Sequence, residues 1–376
     1  TNNENAIFSE DSAQAMEEIT ENLSDIRAAV AYSIKTGMAE VIIACSKVLR
    51  NYYMRTGLLE EGFDVFKDVS AMLKEINLEE SLNMKIKQAF FASQMTMYDE
   101  AASLLENVLA SGNRTSSGEA SYTLGMVYMR TGNLSRAESR INTALESARA
   151  SGTRELEALA LGGLGDLFNH RLEAHKASYF LMQAVEIYKE IGDIRGLFST
   201  WITLSNTMTN HKDGDAALEY GINALECTEI LKGDLYVALA KITIAEALGL
   251  QREYRQALDR AIESVELFKK INARWGIQAS CRTKATLESS LGMLEESIRS
   301  IEESIEISEA IGGTYNSMEA FITGGELFEK NGDIHRAIDL FTRAEKIARH
   351  LEVDKYLKEL GEKLASLTSQ EGTGIT

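Results

Sequence analysis

A pattern of small residues returns every 40 residues along most of this chain, and that period limits the possible folds more than any other feature. At one position of the pattern a small residue recurs six times: Ala137, Ala177, Ala217, Ala257, Ser297 and Ala337. Two looser copies lie upstream, one around Ala101 and one around Gly62. A fixed period of this length indicates a repeat architecture, in which each unit packs only against its neighbours. We therefore expect eight stacked units.

Each unit is predicted to be a hairpin of two α-helices, a first helix A and a second helix B. Another small residue stands twelve positions before each recurring one: Ala89, Gly125, Gly165, Ser205, Ala245, Ala285 and Gly325. Small residues at both positions let the two helices approach closely, while larger ones such as Tyr128 and Phe168 fill the space between them. Gly132 lies in the turn between A and B, where a left-handed helix cap suits Gly. The chain has no Pro, which turn-rich β folds normally use, so the fold is predicted to be all-α.

These positions resemble the tetratricopeptide repeat (TPR) over about residues 43–350. The residues that carry the resemblance in one unit are Leu124, Gly125, Tyr128, Ala137 and Ala144. The resemblance implies a right-handed TPR superhelix, that is, an α-solenoid of about eight helical hairpins with a concave groove lined by the A helices. The closing Pro of the family pattern is missing throughout. Glu288 stands where the family has Tyr, and Arg50 where it has Gly or Ala, so local packing at these two positions departs from the family.

A second resemblance concerns the repeat length and the beginning of the chain. The linker from Lys189 to Gly196 is similar to that of the 40-residue TPR subclass of signalling scaffolds and regulators. Arg27-Ala28-Ala29, followed by Gly57 and Glu61-Gly62, resembles the start of the sensor array in signal-transduction ATPases with numerous domains (STAND), which include the maltose-regulon activator. The family has Asn-Leu where this chain has Asp25-Ile26, and Arg where it has Thr56. The chain has no phosphate-binding loop of the type those ATPases carry.

The ends of the chain are predicted to differ from the array. Residues 1–36 are interpreted as a disordered tail followed by a lead-in helix over Asp11–Lys35, whose apolar residues recur at helical spacing. Residues 37–350 form the TPR array, and residues 351–367 form a helix that caps its exposed end. Residues 368–376 are predicted to be a disordered tail. The first residue is Thr rather than Met, which favours a piece of a longer protein.

Charge and composition exclude several function classes. The net charge of −18 repels phosphate, so we predict no direct binding of nucleic acid and no binding to anionic membranes. Cys45, Cys227 and Cys281 are far apart and lack metal-ligand spacing, which favours buried free thiols and a cytoplasmic location. No pair of histidines or carboxylates has catalytic or metal-binding spacing. The chain is therefore predicted to be no enzyme and to need no cofactor or metal.

The predicted binding site is the face of the A helices that lines the groove. Its residues lie three positions before, one after and four after the small residue of helix A. Those selected are Tyr122, Met126, Asp166, Asn169, Asn206, Thr209, Glu246 and Arg282. Their amides, hydroxyls and carboxylates could hydrogen-bond a peptide or a polyhydroxylated small molecule. A hydrated groove without a ligand at these positions is the alternative.

A carboxylate clamp of the kind found in chaperone-binding TPR arrays is rejected. Lys47 and Asn51 have the spacing of its first half, but Lys87 stands where Asn is required. Glu119 and Thr123 stand where basic residues are required.

Two functions remain open. The first is the sensing array of a signal-transduction ATPase or transcriptional regulator, which would bind a small-molecule inducer or a protein partner. The second is a free-standing adaptor that binds peptides or protein domains. A homodimer is compatible with the exposed ends of a solenoid.

Overall fold

The computed structural model describes residues 18–171, 173–311, 315–350 and 354–373, and all regular secondary structure in these residues is helical. The helices, in chain order, are α1 (Leu23–Thr36), α2 (Ala39–Thr56), α3 (Leu59–Leu73), α4 (Leu78–Gln94), α5 (Tyr98–Ala110), α6 (Arg114–Arg130), α7 (Leu134–Ser151), α8 (Arg154–His170), α9 (Ala174–Ile191), α10 (Ile194–Asn210), α11 (Gly214–Leu231), α12 (Asp234–Leu250), α13 (Tyr254–Lys270), α14 (Arg274–Ser290), α15 (Leu294–Ile311), α16 (Tyr315–Lys330), α17 (Ile334–His350) and α18 (Asp354–Thr373). None of them is long and apolar enough to cross a membrane.

The helices from α2 to α17 pair into eight hairpins, as the repeat predicted. Even-numbered helices are the A helices and odd-numbered ones the B helices. The chain divides into two compact units: Thr1–Thr200 with Glu229–Gly233, and Trp201–Thr228 with Asp234–Thr376.

The same packing is found within each unit. In the first, consecutive helices pack together from α1 to α9, and α2, α4, α6 and α8 also contact one another in series. In the second, consecutive helices pack from α12 to α18, and α12, α14 and α16 contact one another in series. Each A helix thus contacts its own B helix and the next A helix, which is the arrangement of a TPR α-solenoid.

The recurring small residues bring the two helices of a hairpin together. Ser205 in α10 is fully buried, and its hydroxyl donates to the carbonyl oxygen of Ala217 in α11 at 2.6 Å. Ser297 in α15 donates in the same way to Ala285 in α14 at 2.8 Å. The serines that replace Ala or Gly at these positions therefore satisfy their hydroxyls across the hairpin without widening it.

The turns between A and B helices require a left-handed backbone conformation. Gly132 and Gly292 have φ angles of 75° and 80°, which confirms the prediction for Gly at this turn. At the corresponding position of other hairpins the residue is not Gly, and Arg252 has a φ of 65°. A side chain disfavours this conformation, whereas Gly adopts it freely.

We expect Arg252→Gly to raise the stability of the protein by about 0.5–1 kcal/mol, because it relieves the strained φ angle. Gly292→Arg places the same side chain in the equivalent turn and is expected to lower stability by a similar amount. Thermal unfolding of both variants against the wild type measures the two shifts. If the melting temperatures of both variants shift equally in the same direction, the positive φ angle does not explain the change in stability.

Both ends of the chain differ from the sequence-based expectation. Residues 1–17 lie outside the described residues, and with them the predicted tail and the first part of the lead-in helix. The remainder of that helix is interrupted at Asn22, and the regular helix begins at Leu23. At the other end, α18 continues to Thr373, beyond the predicted end at Leu367. The predicted tail over 368–376 is therefore wrong for residues 368–373, where the hydroxyl of Thr368 donates along the helix to the carbonyl oxygen of Leu364.

Helix α18 covers the apolar side of the last hairpin. Leu360 and Leu367 are buried in the same apolar cluster as Phe341. The Lys363 ammonium ion pairs with Glu329 of α16 at 2.7 Å. A terminal helix with a polar outer side closes the end of a repeat array in this way.

Candidate ligand-binding face of the A helices

The predicted site residues lie on one side of the A helices, which we call the A-face. It consists of the residues three before, one after and four after the small residue of each A helix. Tyr122, Met126, Asp166 and Asn169 belong to it in the first unit, and Asn206, Thr209, Glu246 and Arg282 in the second. All eight side chains are partly exposed, whereas the small residues between them are buried. The A-face therefore presents side chains to solvent while the rest of each A helix packs against its neighbours.

Tyr122 and Asp166 come close together in the first unit. The Tyr122 ring, on α6, lies against Gly163 of α8, so closely that a Cβ atom at Gly163 would be 3.1 Å from the ring. Burial raises the pKa of the Asp166 carboxyl to about 6. Burial, and then the nearby Asp166, also raise the pKa of the Tyr122 phenol, which stays neutral at physiological pH. The pair thus combines a partly buried carboxylate with an aromatic hydroxyl.

The space beside this pair is open. Gly162, on the A-face one residue before Gly163, has no atom within 4 Å of the position that a Cβ would take. Met126 and Asn169 lie one turn further along α6 and α8 and are also partly exposed. The first unit therefore offers an open area with one carboxylate, one aromatic ring, one amide and one thioether.

Cationic side chains lie beside the beginning of the A-face in the first unit. Lys87 of α4 is partly buried, and burial lowers the pKa of its ammonium. Glu119 opposes that lowering, while Arg50 and Lys47 of α2 add to it. Arg50 lies over the Phe90 ring, 5.1 Å from its centroid, which accommodates a residue that departs from the family pattern. Cations thus lie beside the A-face at α2 and α4, whereas a carboxylate lies on it at α8.

In the second unit, Arg282 of α14 links three successive A helices. Its Nη2 lies 3.4 Å from Glu246 Oε1 of α12 and 3.3 Å from Glu319 Oε2 of α16. Thr283 donates from its hydroxyl to the same Glu246 oxygen at 2.9 Å. Burial is the main cause that raises the pKa of Glu319; Arg282 lowers it and Glu246 raises it.

Glu319 is a residue of this face that the sequence reasoning missed. It stands six positions before Gly325, one helical turn earlier than the three positions that defined the A-face. A search for residues of this face one helical turn further towards the N-terminus of each A helix would have identified Glu319.

The remaining two predicted residues lie on α10. Asn206 is partly exposed, and the hydroxyl oxygen of Thr209 is buried without a hydrogen-bond partner in the described part of the chain. Such a hydroxyl is uncommon in folded proteins, because it loses its bonds to water.

The described residues contain no group of three or more His, Cys, Asp or Glu side chains placed to hold a metal ion. Burial, with a contribution from Glu303, raises the pKa of the Cys281 thiol to about 12, so it stays protonated and unreactive.

Comparison with known families gives a match over residues 116–190, to the model described as tetratricopeptide repeat. These residues are tetratricopeptide repeats. No curated protein matches the full sequence.

Solved structures show the same TPR fold over most of the chain. A STAND protein with a TPR sensor, from Pyrococcus horikoshii, aligns with 94% of this chain at a TM-score of 0.62 and 16% identity. This chain spans only 54% of that protein's length. The apo form of RapI aligns at 0.62 and 14% identity, over 88% of this chain and 99% of its own. The apo quorum sensor NprR from B. thuringiensis aligns at 0.54 and 13% identity, over 83% and 98%.

The two segments that resemble the start of a STAND sensor array meet in the first unit. Arg27 of α1 donates two hydrogen bonds to the Glu61 carboxylate of α3, from Nε at 2.7 Å and from Nη2 at 2.5 Å. The Tyr53 hydroxyl of α2 donates to the same carboxylate at 3.2 Å. Gly62 lies against the Phe91 ring, 2.7 Å from where its Cβ would be, so no larger residue fits there without movement.

A cavity of about 360 Å³ lies beside this ion pair. Apolar side chains of α1 and α3, among them Val30, Ile34 and Val65, line it together with Arg27 and Glu61. In the described residues, a planar, doubly hydrogen-bonded ion pair and apolar contacts beside this open pocket attach α1 to the first TPR hairpin.

Proposed function

We propose that this chain is the sensing TPR array of a signal-transduction ATPase or transcriptional regulator, and that it is a binding module rather than an enzyme. The observation that carries the proposal is the Arg27–Glu61 pair, since it joins α1 to the first hairpin through the residues that resemble the start of a STAND sensor array. A change in the array on ligand binding can reach a preceding segment through such a contact. The length of the archaeal STAND protein, about half of which this chain spans, is compatible with that role.

Ligand binding is proposed on the A-face of each unit taken by itself: at Tyr122, Met126, Asp166 and Asn169 in the first unit, and at Asn206, Thr209, Glu246 and Arg282 in the second. A small-molecule inducer or a peptide fits the polar groups presented there. We propose a cytoplasmic location, without direct contact to nucleic acid or membrane.

A thermal-shift screen against sugars, nucleotides, amino acids and peptides, followed by calorimetry, tests this function. Asn206→Ala on the A-face should abolish binding of a ligand seated in the second unit. Asn142→Ala is the matched control, because Asn142 is also partly exposed but lies on the B helix α7. If both variants lose the same amount of ligand affinity, the ligand does not bind specifically at Asn206. If a ligand binds the wild type and neither variant loses affinity, the ligand binds elsewhere.

A free-standing adaptor is the second candidate. The near-complete alignment with whole Rap chains favours it: the Rap protein complexed with competence and sporulation factor aligns over 98% of its own length, at a TM-score of 0.56 and 14% identity. A peptide that binds without any small-molecule ligand in the screen would favour the adaptor.

The attachment of α1 can be tested separately. Glu61→Gln leaves Arg27 without its ionised partner, and we expect the amide hydrogens of α1 to exchange several-fold faster. Glu60→Gln, at the exposed neighbouring position, should leave the exchange unchanged. Unchanged protection of α1 in Glu61→Gln would show that the pair does not hold the helix.

A further inference from the structure

Asp166 is unlike the other partly buried carboxylates near the A helices. In the described part of the chain, no hydrogen bond or ion pair reaches its side chain. Other partly buried carboxylates on the A helices have a cation nearby: Glu157 pairs with Arg149 and Arg154, Glu246 and Glu319 pair with Arg282, Glu329 pairs with Lys363, and Glu80 and Glu119 interact electrostatically with Lys87. Removing a carboxylate from water without a partner costs stability. A fold that keeps such a group at a partly exposed position leaves it available to a ligand.

The surroundings of Asp166 leave room for such a ligand. The Tyr122 ring lies against Gly163 on one side, and the position of a Cβ at Gly162 is free of other atoms to 4 Å. The titratable groups that interact electrostatically with Asp166 are Tyr122 and Tyr188, and burial raises the pKa of both phenols, so both are neutral. Within the described residues no cation neutralises the Asp166 carboxylate, although Arg130 and Arg50 interact electrostatically with Tyr122.

We propose that Asp166 and Tyr122 form a binding site for a cationic group, an ammonium or a guanidinium, carried by the ligand of the A-face. The carboxylate supplies the missing ion pair, and the Tyr122 ring supplies an aromatic surface for the same cation. The net charge of −18 favours the approach of a cation. This inference rests on the proposed function and adds to it the chemical class of the ligand.

The protonation state of the site agrees with this assignment. With its pKa raised to about 6, Asp166 is ionised at neutral pH and loses its charge as the pH falls below that value. A cation therefore binds the ionised form, and its affinity decreases on acidification. The neutral phenols of Tyr122 and Tyr188 do not titrate in this range.

Two short peptides that differ only in charge provide the probe. Acetyl-Gly-Arg-Gly-amide carries a guanidinium, and the citrulline peptide of the same shape carries a neutral urea. Calorimetry with the whole chain at neutral pH is expected to show about tenfold tighter binding of the Arg peptide. Asp166→Asn should abolish this preference. Asp64→Asn, an exposed aspartate on α3, is the matched control and should retain it.

The outcomes separate this inference from the proposed function. A preference that persists in Asp166→Asn, or no preference in the wild type at millimolar peptide, overturns the cation site. A third outcome is that Asn206→Ala loses binding of a ligand from the screen while Asp166→Asn keeps the preference for the Arg peptide. This result would support ligand binding on the A-face and contradict only the role of Asp166. Asp166→Asn removes a partly buried carboxylate that has no partner in the described part of the chain, so the variant is expected to fold, and its melting temperature verifies that.

Discussion

Gly165→Val is expected to lower the free energy of unfolding by about 3 kcal/mol or more. Gly165 is buried in α8, at the point where this helix crosses α9. A Cβ there would lie 2.6 Å from Leu181 Cδ2 of α9, well inside contact distance, and Val adds two further methyl groups. Since the A and B backbones are held together along the whole hairpin, relief requires the two helices to separate and lose apolar contacts.

Gly162→Val is the matched control on the same helix, three residues earlier. Nothing lies within 4 Å of its Cβ position, so no clash arises. The change in intrinsic helix propensity is the same in both variants and is only about 0.4 kcal/mol. We expect the control to shift stability by no more than about 0.5 kcal/mol. Urea unfolding followed by circular dichroism measures both, and similar losses at the two positions would contradict a role for the close helix approach.

The difference between the Gly165 and Gly162 positions explains why the fold could be predicted from the sequence. Positions such as Gly165 and Gly132 admit very few residue types, one because of a neighbouring helix and the other because of its positive φ angle. Constraints of this kind recur once in each repeat, so they can be recognised in the sequence alone. The division into eight hairpins follows from them.

The candidate site could be predicted only in part, since long polar side chains are not constrained in this way. The helical spacing placed Arg282 on the A-face, but not its simultaneous contacts with Glu246 and Glu319, which depend on the conformation of a long side chain. The sequence likewise could not predict that Asp166 has no partner in the described part of the chain. This depends on which side chains of the neighbouring helices come within reach of its carboxylate.

Glu288 shows a second limit of sequence reasoning. It replaces the usual Tyr of the family and is buried, yet its carboxylate accepts a hydrogen bond from Ser300 at 2.6 Å and pairs with Lys284 at 3.2 Å. Two polar neighbours therefore stabilise the buried Glu288 carboxylate: Lys284 on the same helix and Ser300 on the partner helix α15.

Arg282→Met is expected to lower stability at neutral pH by about 1–3 kcal/mol, because it leaves Glu246 and Glu319 partly buried without their cation. The three side chains are each about one quarter exposed, which keeps the loss below that of a fully buried pair. Met retains the length and apolar contacts of the Arg stem, so the variant isolates the charge. Arg299→Met on the B helix α15 is the control. Arg299 is 69% exposed and, among the residues that the structure describes, pairs only with Glu296, so a loss near zero is expected.

The pH dependence of the Arg282→Met defect distinguishes lost charge pairing from lost packing. The pKa of Glu319 is already above its ordinary value, and removal of Arg282 raises it further, because Arg282 is the group that lowers it. A carboxyl whose pKa is higher in the folded than in the unfolded state favours folding when protonated, and this advantage is lost as the pH rises through the folded-state pKa. The defect should therefore be largest at neutral pH and should shrink as the pH falls towards the ordinary range of a Glu. A defect of constant size across that range would instead indicate that Arg282 acts through packing of its stem.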